Sequence, residues 1–196
     1  VLDMAGLAQK NGSVVSHIRI AEAPEKLHAT RIAAGEAKLV LACDIVTGVG
    51  YESIAKMQRG VSKALVNTGL VMPAEFTRNP DMVFPTGSME REISEAVAPG
   101  DAEFLDAGTL ATRLMGDSIA TNMFMLGYAY QKGWVPLAGE SIERAIELNA
   151  VAVEFNKKSF LWGRRAAADQ EKVRRIATPA DVIPRTADLI TWHIGD

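Results

Sequence analysis

The sequence predicts an α/β fold of Rossmann-like kind, a mostly parallel sheet with helices on both faces and a helical C-terminal part. Three observations carry that reading. Over the first half, short β-branched runs alternate with turns and helical stretches, as βαβ units require. Most of these runs are apolar throughout, the pattern of strands covered on both faces. After residue 107 the strand pattern stops and helical spacing takes over.

The first candidate strand, "SVVSHIRIA" (13–21), follows the turn "AQKNG" (8–12) and alternates, which suits an edge or half-exposed strand. Val15, His17 and Arg19 fall on one face and Ser16, Ile18 and Ile20 on the other. A histidine beside an arginine can hold an anion by charge-assisted hydrogen bonds. The plainer reading is an edge strand turning its polar face to water or to a partner domain. No carboxylate or nucleophile at close spacing completes a dyad, so that reading is preferred to catalysis.

The remaining strands are "KLVLACD" (38–44), "KALVNTG" (63–69) and "AEFLDA" (102–107). Between them "YESIAKMQRG" (51–60) and "SMEREISEAVAPG" (88–100) have helical spacing and end at glycine. The stretch 70–87 holds three prolines and predicts a long surface excursion. Helices follow over 108–116 and 117–133, with Asp117 to cap the second and Gly133 to end it. That second helix is apolar all round and is expected to be buried. A longer helical pattern covers 139–168, with Gly163 as a candidate break, and the charged, proline-punctuated stretch 169–196 reads as an extension or linker outside the core.

Composition narrows the function classes. At 196 residues, 48% hydrophobic and 23% charged, the chain is long enough for one well-buried domain. A net charge of -3 without a basic block argues against nucleic acid and anionic membranes as partners. No apolar stretch reaches the roughly 18 to 20 residues of a membrane span, and no basic-then-apolar leader opens the chain, so a cytoplasmic location is expected. The single cysteine, Cys43, cannot form an internal disulfide or supply a cysteine-ligated cluster, and three scattered histidines predict no metal site.

In parallel α/β sheets ligands gather beyond the carboxyl ends of the strands. Three strands here end in polar residues: Asp44, then Asn67 with Thr68, then Asp106. They define a candidate crevice, although Asp and Asn at such positions more often cap helices or close Asx-turns. A dinucleotide fold would add a G-x-G-x-x-G turn; the nearest stretch, "TGVGYES" (47–53), lacks the third glycine and follows the second strand, not the first. It leaves a free-standing Rossmann-like dehydrogenase as an alternative.

Four blocks say more than their periodicity. "DMAGLAQKNGSVVSHIRIA" (3–21), "RIAAGEAKLVLACD" (31–44), "GDSIATNMFMLG" (116–127) and "IERAIELNAVAVEFNKKSFLWGRR" (142–165) resemble, in order, the gamma subunit or domain of the 2-oxoacid:ferredoxin oxidoreductases, closest to the fused bacterial indolepyruvate enzymes. The resemblance covers about residues 1–168, which it implies are one gamma domain. It implies an enzyme that oxidatively decarboxylates aryl 2-oxoacids to acyl-CoA, with thiamine diphosphate and iron–sulfur clusters on partner domains or subunits and electrons passed to ferredoxin. The gamma domain is linked to coenzyme A, and this chain is expected to bind no cofactor alone.

Family members usually open with a strand and a "GxGGxG" turn, a unit that precedes Val1 here, so the chain reads as N-terminally truncated. An exposed edge near Val1 and Leu2 would then favour pairing into a homodimer. Transferred by position, Gln9, Lys10, Asn11 and Gly12 fall on a loop that in relatives faces the cofactor-bearing domains. Lys10 would meet a phosphate or an acidic surface, and Gly12 would let the backbone turn closely. Where relatives have Gly-Gly, Asn11-Gly12 preserves the turn. Lys10, Asn11, Gly12, Asp44, Asn67 and Thr68 are thus the expected residues of a CoA-side or interdomain site. A purely structural docking domain is the remaining alternative.

Overall fold

Every side chain of β4 (Lys63–Asn67) beyond Lys63 is buried, and the fold is arranged around it. The computed structural model describes residues 2–5, as backbone, together with 14–69 and 85–178. β4 lies between β3 (Leu39–Ala42) and β5 (Ala102–Leu105), parallel to both, with Leu41 opposite Leu65 and Val66 opposite Phe104. The strand order β3-β4-β5 follows the chain. No reversal of strand order therefore occurs among the described residues.

Alternation along β4 divides the core in two. Ala64 and Val66 point to one face, where Ile45 of α1 (Ile45–Gly48) and Ile93 of α3 (Thr86–Ala96) cover them. The short α2 (Tyr51–Ile54) follows α1 directly. Leu65 points to the other face, under α4 (Ala107–Met115), α5 (Thr121–Gln131) and α7 (Val153–Ala168). Both faces are covered, which is why the strands could be apolar throughout.

The apolar α5 is buried through Phe124, Met125, Gly127, Tyr128 and Ala129, as its composition required. Its partner is α7, and the two approach through reciprocal glycines. A Cβ on Gly127 would land on the Phe160 carbonyl, and one on Gly163 would land on the Phe124 carbonyl. Gly163 is therefore no break; it lies inside α7 because only glycine lets the backbones come this close. Phe124 and Phe160 are sealed beside that contact, each burial worth on the order of 1.5–3 kcal/mol.

The break in the long helical pattern falls earlier, between α6 (Gly139–Asn149) and α7, where Ala150 (φ 56°) and Ala152 (φ 46°) are left-handed. Alanine rarely adopts that conformation, so no local signal marks the turn. Beyond residue 168, Asp169 caps a further helix, α8 (Gln170–Ala177), accepting from the Lys172 N–H. Val173 and Ala177 join the α4–α5–α7 core, so packing continues past the expected start of the extension.

The region 13–21 also differs from expectation. β2 (Val15–Ile18) does not join the parallel sheet; it pairs antiparallel with β1 (Leu2–Ala5) in a separate two-stranded ribbon, Asp3 opposite His17. Its polar face turns inward and its apolar face outward: His17 is 3% exposed and Ile18 63%. His17 Nδ1 accepts from the Ile32 N–H at 3.2 Å, and Arg19 donates to the Arg31 carbonyl and pairs with Glu36. These side chains clamp residues 31–36 to the ribbon, a contact that strand alternation alone could not reveal.

Candidate functional site

Asn67, at the end of the central strand, is the hub of the carboxyl end. It is 4% exposed, and both ends of its amide are hydrogen-bonded to backbone. Nδ2 donates to the Cys43 carbonyl at 3.0 Å, tying β4 to the end of β3. Oδ1 accepts from the Gly69 N–H at 3.0 Å and from the Gly108 N–H at 3.2 Å, tying β4 to its own exit and to the first turn of α4. A carboxamide suits this position because it donates and accepts without charge.

The two aspartates cap helices. Asp44 accepts from the Val46 N–H and the Thr47 hydroxyl at the start of α1. Asp106 accepts from the Thr109 N–H at the start of α4 at 2.9 Å. The plainer reading of these carboxylates thus describes their hydrogen bonds.

Beyond this hub opens a crevice of about 770 Å³, within the range of small-molecule sites. Asn67, Thr68, Gly69 and Asp106 form its base, α4 supplies Thr109, Thr112 and Arg113, and the turn into α5 supplies Ser118, Thr121 and Asn122. Gly69 keeps the base open: a Cβ there would stand 2.5 Å from Asp106 Oδ1 and 3.1 Å from Asn67 Oδ1. Cys43 also lines it; burial first, and the Asp44 charge second, push its thiol up, so it is held as the neutral thiol and not as a nucleophile.

Of the expected site residues, the structure brings Asn67 and Thr68 together in the crevice and leaves Asp44 out of its lining. Lys10, Asn11 and Gly12 lie outside the described residues. Arg113, Ser118 and Asn122 also line the crevice and were not among the expected site residues. A signal existed for the first: Asp106, Thr109, Thr112 and Arg113 recur at three- and four-residue spacing on α4.

The "TGVGYES" turn is accounted for by packing. Gly48 is glycine because a Cβ would stand 2.9 Å from the Ala42 Cβ, where α1 crosses β3. The turn leads into a helix of only four residues. Among the described residues no group of three or more His, Cys, Asp or Glu could hold a metal ion, and no helix is long and apolar enough to cross a membrane.

A family model described as pyruvate ferredoxin/flavodoxin oxidoreductase matches residues 2–166. The chain belongs to that family. Among relatives, the indolepyruvate oxidoreductase subunit IorB of Methanothermobacter thermautotrophicus is 30% identical over 169 residues, 85% of this chain and 81% of its own length. The subunit of the same name from Thermococcus kodakarensis is 24% identical, with 85% and 80% covered. That of Archaeoglobus fulgidus is 26% identical, with 83% and 77% covered. Membership makes the chain part of an oxidoreductase, and it runs through every block that carried the resemblance.

The residues present do not fit the family's iron–sulfur chemistry within this chain. One cysteine cannot supply the set of thiolates a cluster needs, and Cys43 is held as a thiol.

Proposed function

We propose that this chain is the gamma-type subunit or domain of an indolepyruvate (aryl 2-oxoacid) ferredoxin oxidoreductase, acting in the cytoplasm within a larger assembly. The observation that carries the reading is likeness along 169 residues to subunits named for indolepyruvate, inside a family match that spans most of the chain. In that assembly, thiamine diphosphate and iron–sulfur clusters sit on partner subunits, which oxidatively decarboxylate the 2-oxoacid, form acyl-CoA and pass electrons to ferredoxin. This chain contributes binding and positioning.

Asn67 and Thr68 would face coenzyme A or a neighbouring domain from the crevice, and Lys10, Asn11 and Gly12 would form the docking turn. Asn67 organises; the Thr68 hydroxyl, which no protein group engages among the described residues, is the one able to meet a ligand. The test is reconstitution with the thiamine-binding and cysteine-rich subunits, following indolepyruvate- and CoA-dependent reduction of ferredoxin. Turnover is expected only with all parts present. Turnover of indolepyruvate by this chain alone, or its tight binding of thiamine diphosphate, would overturn the assignment.

A further inference from the structure

Asp106, Thr109, Thr112 and Arg113 share one face of α4, and all four line the crevice. The stripe runs from a carboxylate to a guanidinium, their backbone positions about 10 Å apart by helical rise. The two charges are not equivalent. Asp106 is committed to capping α4. Arg113 has no carboxylate partner among the described residues; its hydrogen bond runs from Nη1 to the Thr178 hydroxyl, 2.9 Å away at the close of α8. A guanidinium carries five N–H donors, so most of Arg113's remain uncommitted.

The surrounding hydroxyls fall into two groups. Thr112 and Thr121 donate to the Gly108 and Ser118 carbonyls and can then only accept. Thr109 and Ser118 keep free hydroxyl donors, and Asn122 a free amide, among the described residues. One cation with free donors beside it suits a group made of several acceptor oxygens.

We propose that Arg113 is the anion-binding residue of this crevice and that Thr178 orients it. The ligand is a small molecule with an oxyanion of several acceptor oxygens at the Arg113 end of the crevice. The proposal rests on the crevice being a ligand site, as above, and names the residue that selects for charge. Phosphate and carboxylate share the required chemistry, so the test separates them.

The full chain is titrated with inorganic phosphate and, separately, with pyruvate, following the backbone amide resonances of residues 106–122 by NMR in wild type, R113Q, R113K and T178V. One of the two anions is expected to shift those resonances saturably, which identifies the source of the oxyanion. R113Q should weaken that binding about tenfold or more. R113K, which keeps the charge but loses the planar fork, should recover part of it, and T178V should fall between R113K and wild type. If neither anion shifts these resonances, or R113Q binds as wild type does, the proposal is overturned. R113Q with a lowered Tm and unchanged affinity would make Arg113 a strut for α8 and would overturn it equally. Because the titration needs no partner subunit, failure of the assembled enzyme to oxidise indolepyruvate would count against the assignment above and not against Arg113.

Discussion

At the amino ends of the strands, Ser62 is fully buried; its hydroxyl donates to the Ala37 carbonyl and accepts from the Gln58 N–H, stitching β4 to the segment before β3. At the carboxyl ends, the nearly as buried Asn67 stitches β4 to the end of β3 and to α4. Both are polar hubs with their hydrogen bonds satisfied by backbone, as burial demands. What differs lies beyond them. Past Ser62 come the Lys63–Asp101 ion pair and packed core. Past Asn67 come Gly69, which keeps side chains out, and a crevice carrying free hydroxyls and Arg113. A buried polar hub is therefore no mark of function by itself; uncommitted donors in front of it are.

The sharpest break in this comparison is Asn67→Leu. It leaves the Cys43 carbonyl and the Gly69 and Gly108 N–H groups unpaired at the part-buried base of the crevice, at about 1 kcal/mol each, the low end for an unsatisfied group. A loss of about 3 kcal/mol is expected in urea unfolding. Ser62→Ala strands two groups and should remove about 2 kcal/mol while leaving the amide resonances around the crevice in place. Gly69→Ala should cost about 1 kcal/mol, because Asp106 must move from the new Cβ, yet it should perturb the crevice resonances more than Ser62→Ala does.

The smallest effect concerns pH, at a third place along the sheet. Glu103 on β5 accepts from the Tyr128 hydroxyl at 2.7 Å and pairs with Lys132. Burial by itself pushes its carboxyl up, but the hydrogen bonds from Lys132 and Tyr128 and the Lys132 charge outweigh burial and hold it below the usual range. Because its folded value lies below the unfolded one, its contribution is complete above the ordinary glutamate range near pH 4.3 and is lost as pH falls through the folded value. Wild type should accordingly lose its advantage over Glu103→Gln on acidification, seen as converging melting temperatures, and hold a constant advantage from pH 6 to 8 by the same linkage, roughly.

Much of the fold was legible because it is local. The apolar runs of β3, β4 and β5, the caps at Asp44 and Asp106, and the apolar circumference of α5 are all written within a few residues of where they act. What could not be read was set by tertiary contact. Gly163 looks like a helix breaker until Gly127 is placed across from it, and Ala150 looks like a helix former until the chain must turn there. His17 and Arg19 resemble an exposed binding face until residues 31–36 fold over them. In the site, Asn67 and Thr68 were found from their place at a strand end. Arg113 was not: its spacing with Asp106 and Thr109 on one face of α4 could be read, but its freedom from an acidic partner among the described residues is a property of the surroundings.

On the proposed reading, the carboxyl end of the sheet is the working end. Comparing Thr68→Val with Ser62→Ala in the reconstituted oxidoreductase, at a temperature where both variants stay folded and assembled, tests it most directly. Thr68→Val is expected to alter KM for CoA or the 2-oxoacid, whereas Ser62→Ala, despite its larger loss of stability, leaves the kinetics of the folded enzyme unchanged. Equal kinetics for Thr68→Val and wild type, or a kinetic defect confined to Ser62→Ala, would contradict it.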